Sequence, residues 1–336
     1  MRASDVFLNP AEAARRLGVS AKALRLYEQR GLVAPLRTAA GWRAYGPGEM
    51  ARAGEIVALR ALGLSLARIA QVLNGDAQAL EPALAAHQAA LEGQVRQLTG
   101  AADKVRDLRA GLARGQTPQA GDLARLLAPT AGSAIAFDLP WPWNGERFEL
   151  RDIGPLTFLT GPLGSGKTRL ALRLAETWPG ATFLGLDRST ANAGDPAHAA
   201  RVEAALAWLV EDGATACDAL RTLLIALEAE GSAALVVDMP EQGLDQATQE
   251  AVVAHLRRRG AEARPLVLLT RSSAILDLAA VKPGETILYC PANHGPPIRV
   301  VPYAGAPGYE AVASCLASPE VRARTAGMIA VMGQAG

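Results

Sequence analysis

Apolar and polar positions along this chain alternate in three ways: short capped helices, one long helical stripe, and buried strands that run into helices. Asn9-Pro10-Ala11-Glu12 is a helix start. Asn accepts from the first free amides, Pro suits the first helical position, and Glu three residues after Asn closes a capping box. A short helix to Leu17 is predicted, with Gly18 as left-handed exit and Ser20 capping a second helix, Ala21 to Arg30, that Gly31 ends. This is helix-turn-helix spacing, which plain helical hairpins share. From Leu80 the apolar positions run Leu80, Leu84, His87, Leu91, Val95, Leu98, Ala102, Val105, Leu108 and Leu112. Steps of three and four predict one long amphipathic helix with a coiled-coil seam. Its partner is a second copy or the chain's own C-terminal body. Gly115 to Gly121 breaks that helix and reads as a linker. Farther on, strands are predicted at Pro155 to Thr160, Ala233 to Val237 and Leu266 to Thr270, with a helix from Arg169 to Glu176 after the first. From Tyr289 the tail reads as turns with two short helices, from about Pro307 and Pro319.

A length of 336 residues allows two or three domains. Half of the residues are hydrophobic, yet no apolar run approaches the roughly 18 residues of a membrane span, so a membrane protein is excluded. The start lacks a signal peptide's apolar stretch, and Cys217, Cys290 and Cys315 are scattered. A cytoplasmic protein without a disulfide framework or thiolate metal cluster is expected. The net charge of +1 conceals an asymmetry. Residues 1 to 117 hold 16 basic against 10 acidic side chains, and the remainder 18 against 23. A basic head on a mildly acidic body suggests a polyanion-binding module joined to something else.

The residues after the second helix make the head specific. Leu24-Arg25-Leu26-Tyr27-Glu28-Gln29-Arg30-Gly31-Leu32, then Arg37, Gly41-Trp42-Arg43-Ala44-Tyr45, and Arg60-Ala61-Leu62-Gly63-Leu64-Ser65-Leu66-Ala67-Arg68-Ile69 resemble the MerR family of winged helix-turn-helix transcription regulators. The resemblance spans about residues 5 to 73, and to about 112 with the long helix. It implies a two-fold dimer held by an antiparallel coil, a partly palindromic site on double-stranded DNA, and RNA polymerase as a further candidate partner. Carried over by position, Lys22 and Arg25 would face the groove, and Tyr27, Arg37, Arg43 and Tyr45 would bind phosphates. Trp42 reads better as packing.

The body carries its own motif. Gly161-Pro162-Leu163-Gly164-Ser165-Gly166-Lys167-Thr168 is the Walker A pattern between a strand and a helix. Glycines let successive amides turn toward phosphate, Lys167 reaches the β and γ phosphates, and the Thr168 hydroxyl is a Mg²⁺ ligand. Asp238, ending the second strand, fits Walker B and the same metal. The stretch Asp238-Met239-Pro240-Glu241-Gln242-Gly243-Leu244-Asp245 is similar to Walker B and the D-loop of ABC-type ATPases, a likeness covering about residues 133 to 290. It implies ATP and Mg²⁺ as cofactors, and Lys167, Asp238 and Glu241 as the catalytic set. Three departures stand out. Met239 holds the position of the water-polarising glutamate, leaving Glu241 as substitute. The signature loop would fall at Glu211-Asp212-Gly213-Ala214-Thr215, which keeps only a glycine and acidic neighbours. About 45 residues separate Lys167 from that loop, too few for the usual helical subdomain. Hydrolysis is therefore expected to be weak or conditional. Asp245 and Arg271 are read either as acting across a dimer or as a helix cap and a surface cation. Trp141, Trp143 and Phe148 precede the motif and read as core more readily than as a platform for adenine.

The expected fold class is multidomain: an all-α winged helix-turn-helix with a dimerising coiled-coil helix, then an α/β P-loop NTPase-like domain. The boundaries are 1–75 for the DNA-binding domain, 76–114 for the coil, 115–130 for the linker and 131–336 for the ATPase-like domain with C-terminal helices. The function expected is a dimeric regulator whose body binds ATP and switches DNA binding or distortion. The alternatives are an ATPase or P-loop kinase that uses the helix-turn-helix for DNA targeting, with Arg257-Arg258-Arg259 as a weak lid candidate that reads better as the solvated end of a helix, and a DNA-transaction ATPase of repair or defence.

Overall fold

The computed structural model describes residues 7–76, 78, 80–114, 135–151, 153–188, 195–259, 263–318 and 321. The linker read at Gly115 to Gly121, and the helix read from Pro319 apart from Val321, lie outside them. Local chemistry sets the head. Helix α1 (Pro10–Leu17) opens on the capping box: the Asn9 side chain accepts from the amides of Ala11 and Glu12, and the Glu12 carboxylate accepts the Asn9 amide. Gly18 at φ 66° supplies the left-handed exit, where a Cβ would be strained. Helix α2 (Ala21–Gln29) starts under Ser20, whose hydroxyl accepts the Ala23 amide. A two-stranded wing follows, β1 (Leu36–Arg37) antiparallel to β2 (Arg43–Ala44). Helices α3 (Pro47–Ala61) and α4 (Leu66–Leu73) close a core of Ala13, Leu24, Tyr27, Tyr45, Ile56 and Ile69.

Helix α5 (Leu80–Ala113) is a single stretch of 34 residues. Leu84, Leu91, Val95, Leu98, Val105 and Leu112 on its stripe are exposed, so among the described residues nothing of the body covers them.

The body is built on a six-stranded sheet. After a hairpin of β3 (Ile135–Asp138) and β4 (Arg147–Leu150) come β5 (Leu156–Thr160), α6 (Lys167–Thr177), β6 (Ala181–Leu184), α7 (Pro196–Glu211), α8 (Asp218–Glu228), β7 (Ala234–Asp238), α9 (Gln246–Leu256), β8 (Leu266–Leu269), β9 (Glu285–Tyr289), β10 (Ile298–Val300) and α10 (Tyr309–Cys315). The strand order is β10-β9-β5-β8-β7-β6, antiparallel only between β10 and β9. Both faces are covered, which explains why β5, β7 and β8 read as unbroken apolar runs. Phe158, Leu235, Val237 and Leu268 pack on one face against α7, α8 and α9. Leu159, Val236, Val267 and Leu269 pack on the other against α6 and the β3–β4 hairpin. Among the described residues no helix is long and apolar enough to cross a membrane.

Three expectations need revision. The tail is not only turns and helices: β10 pairs Ile298 with Tyr289 and extends the sheet, a pairing that no local pattern announces. Arg257 to Arg259 is not a solvated helix end, because Arg257 makes two bonds to Glu285, at 2.7 and 2.9 Å, and Arg258 stacks on Trp208. Trp42 is 75% exposed at the wing, whereas Tyr45 is completely buried.

Phe158, with no exposed surface, fills the centre of β5. Phe158→Ala is expected to destabilise the body by about 3–5 kcal/mol in urea unfolding, since the cavity cannot collapse between two covered faces. A loss under about 1 kcal/mol would show that the sheet centre is not packed this way.

Candidate functional site

All the parallel strands present their carboxyl ends on one edge, and there the glycine-rich loop 161–168 lies. Gly161, Gly164 and Gly166 take φ of 151°, 78° and 87°. Gly166 admits no side chain for a second reason: a Cβ there would come within 2.7 Å of the Trp143 ring. Trp143 is buried and donates its indole N–H to the Gly295 carbonyl, while the His294 ring meets the Gly164 carbonyl at 3.2 Å. The loop is therefore braced from beneath by the hairpin region and the β9–β10 connection.

Lys167 opens α6 and folds back over the loop, its Nζ donating to the Pro162 carbonyl at 2.7 Å. Burial and nearby Arg271 hold its amine below the ordinary lysine range. Thr168 donates its hydroxyl to Asp238 Oδ2 at 3.1 Å, joining the helix to the end of β7. Burial pushes the Asp238 carboxyl up, against the pull of Thr168, Lys167 and Arg188. Met239 sits at φ 46°, a conformation strained for a long side chain, and turns the chain so that its carbonyl points at an arginine. That arginine is Arg188, which follows β6 and donates to the carbonyls of Asp238 and Met239 at 2.5 and 2.7 Å. Glu241 is buried and accepts the Arg271 amide at 3.4 Å. The Arg271 Nε is buried without an acceptor among the described residues. Lys167, Arg188 and Arg271 thus surround two carboxylates, and the surplus of positive charge suits a polyanion.

In the head, Arg25 is exposed on α2 and Lys22 is half-buried. The Lys22 Nζ donates to the carbonyl of Ser273 in the body, at 2.9 Å. Arg37 and Arg43 reach back from the two wing strands to one carboxylate, Glu28, which clips the wing onto α2.

The sequence model of the MerR HTH family of regulatory proteins matches residues 8–76. A probable heavy metal-dependent transcriptional regulator of Haemophilus influenzae is 36% identical over 98 residues, which cover 27% of this chain and 77% of that protein. The chain belongs to the MerR helix-turn-helix family. A nodulation protein of Bradyrhizobium elkanii is 36% identical over 101 residues, 30% of this chain. A helix-turn-helix regulator of Sinorhizobium medicae is 40% identical over 67 residues, 20% of this chain. The chain spans 46% of the length of each of these two relatives, so about half. Among solved structures, a MerR family regulator lacking the sensor domain and bound to promoter DNA shares 20% identity at a TM-score of 0.27, over 33% of this chain and 97% of its own. The ADP conformation of an ATP-binding cassette of an ABC transporter shares 13% at 0.38, over 57% and 97%. Both scores are too low to carry an argument about function.

Within this MerR-family chain, several expected residues sit elsewhere than on a binding surface. Tyr27 and Tyr45 belong to the head core, and burial pushes both phenols up. Asp245 caps α9 by accepting the Thr248 amide and also accepts the Thr215 hydroxyl, the structural alternative of its two readings. Trp143 and Phe148 pack in the body, whereas Trp141 is 69% exposed beside the P-loop with Arg169 4.6 Å from its ring. Arg188 went unread in the sequence, although an arginine just past a strand that neighbours β7 was a usable signal.

Because the folded protein disfavours ionised Asp238, that carboxylate contributes stability only when protonated, and the contribution is lost as pH rises through the carboxylate range. Asp238→Asn is expected to raise the Tm at neutral pH, and relief of about 1 kcal/mol would give about 2–4 °C for a body of this size. A lowered Tm would mean that the carboxylate serves the fold.

Proposed function

We propose that this MerR-family regulator acts as a dimer on promoter DNA and that its P-loop body binds ATP with Mg²⁺, switching DNA affinity or DNA distortion. The observation that carries the reading is the convergence of Lys167 and Arg188 on the Thr168–Asp238 pair, with Arg271 close to Lys167, in the same chain as the reading head. Residues 161–168 would hold the phosphates: the loop amides, with the α6 N-terminus behind them, face anionic oxygen, and Lys167 exchanges the Pro162 carbonyl for it. Thr168 and Asp238 have the hard oxygens that would hold Mg²⁺, and the ion would supply neutralisation of phosphate charge. Trp141 offers an exposed ring face beside the loop, fit for a base. Glu241, with its carboxylate held near Arg271, supports slow hydrolysis as a secondary activity. Catalytic roles for Lys167, Asp238 and Glu241 belong to that activity.

The exposed stripe of α5 supports a second copy as its partner, because an apolar seam running from Leu84 to Leu112 is the length of a coil and lacks cover among the described residues. A two-fold dimer would present two α2 helices to one face of a duplex. Arg25 with Lys22 would enter the groove, and Arg37 and Arg43 would leave Glu28 for phosphate as the wing closes on DNA. RNA polymerase is the further partner such a regulator would meet there.

Two measurements test this. Fluorescent ATP should bind the full chain with Mg²⁺, and Lys167→Ala should weaken it by about two orders of magnitude, as loss of a buried charge-assisted contact does. Duplexes selected from a random pool should differ in affinity or curvature between the apo, ATP and ADP states. Arg43→Ala should weaken all of them about equally and lower the salt slope by about 1. A chain that ignores nucleotides ends the switching reading.

A further inference from the structure

The head and the body are joined by a polar contact built from both sides. Asp212, at the end of α7, has a side chain only 2% exposed. It receives both Nη1 and Nη2 of Arg60, at 2.6 and 3.0 Å, and the amide of Leu66 at the start of α4, at 3.0 Å. Its neighbour Glu211 accepts the hydroxyl of Ser65, the α4 cap, at 2.8 Å and pairs with Arg68 at 3.1 Å. Two carboxylates of the body therefore face the positive end of a head helix. One turn back, Trp208 donates its indole N–H to the Gly63 carbonyl at 3.2 Å, with Arg60 and Arg258 at 5.5 and 4.4 Å from its ring. A buried carboxylate held by a bidentate guanidinium, an amide and a helix end is a built joint, because removing either partner strands a charge out of water.

The same joint reaches the helix that would read DNA. Lys22, in the first turn of α2, donates to Ser273 of the body. Arg30, just past its last turn, lies against Gly213: a Cβ there would come within 1.6 Å of its guanidinium. Lys22, Leu26 and Arg30 fall at i, i+4 and i+8 and so share one side of the helix. Tyr27 is close enough to Arg60 and Asp212 for both to act on its phenol. The body thus brackets α2 at both ends. A major groove about 12 Å wide accepts a helix that is itself about 10–12 Å across with its side chains. No second layer of protein fits between the leading lysine of that helix and the floor of the groove.

We propose that the surface formed by Trp208, Glu211, Asp212, Gly213 and Ser273 is a docking site for the chain's own reading head, and that DNA must displace it to reach α2. The proposal rests on the DNA-reading half of the function above and does not require the nucleotide. It also accounts for the departure at the expected signature loop: residues 211–213 are spent on holding the head. Docking lowers the fraction of chains competent for DNA, and apparent affinity falls by that fraction.

The test uses full-length protein without nucleotide and a labelled duplex recovered from a random pool with the wild-type chain. Arg60→Gln breaks the joint from the head, and Asp212→Asn breaks it from the body. Each is expected to bind the duplex at least about tenfold more tightly, as release from a largely docked population requires. Simple electrostatics would move the two in opposite directions, since one loses a positive and the other a negative charge. Equal or weaker binding by the Arg60→Gln variant, with wild-type circular dichroism, overturns the proposal and leaves DNA reading intact. Failure of every form to bind any duplex would overturn DNA reading and this proposal together. Should the variants unfold, acetylation of the wild-type chain decides: Lys22 should react several-fold more slowly in the native chain than in the same chain unfolded in urea, and equal rates would overturn the joint.

Discussion

Asp212 is a carboxylate removed almost entirely from water, and such a charge persists only where it is matched. In this molecule the match comes from the other domain. Arg60 and the first amide of α4 satisfy both oxygens, so the end of α7 is complete only when the head is seated. The rest of the arrangement follows from that requirement. Trp208 can give its indole proton to Gly63 only because Asp212, one turn along α7, holds α4 in register, and α2 is brought to Ser273 by the same seating.

The edge of the sheet obeys the opposite rule. There the cations exceed the acids: Lys167, Arg188 and Arg271 stand around Asp238 and Glu241, and one guanidinium nitrogen of Arg271 is buried with no acceptor among the described residues. Backbone carbonyls partly compensate, those of Pro162 for Lys167 and of Asp238 and Met239 for Arg188. Neutral carbonyls solvate a cation without cancelling its charge, so the loop keeps an attraction for anions that its internal bonds do not exhaust. A joint saturated in charge and a cradle left short of it are what a contact within the chain and an anion site would respectively need.

Features governed by near neighbours in sequence were legible from it. Asn9 with Glu12, Ser20 and Gly18 set the first two helices by bonds spanning three or four residues, and the structure has each of them. The glycines of the loop 161–166 were legible for the same reason, since they answer to backbone angles. What escaped depends on distant pairing. Strand β10 exists through its register with β9, Arg188 matters because β6 lies beside β7, and the acidic pair Glu211-Asp212 has meaning only opposite Arg60 and Arg68. The exchange of roles between Trp42 and Tyr45 is of this kind too: both are aromatic wing residues, and only the pairing of Leu8 with Tyr45 turns the second inward.

The two sites are separated by very little chain. Arg271 faces the cradle and Ser273 holds Lys22, and the residues between them are tied on every side. The Ser272 amide bonds Thr270, its hydroxyl bonds Gln249 and accepts the Ala274 amide, and Ala317 is clasped between the Arg271 carbonyl and the Ser273 amide. A segment so constrained cannot absorb a displacement at one end by flexing, and it moves as a piece. If the cradle holds an anion as proposed, a shift of Arg271 would be passed along this segment to the carbonyl offered to Lys22, and linkage would require the reverse: a head that leaves Ser273 would alter the affinity at the cradle by the same factor. The sign of that coupling would depend on which position of the loop leaves Arg271 facing an anion.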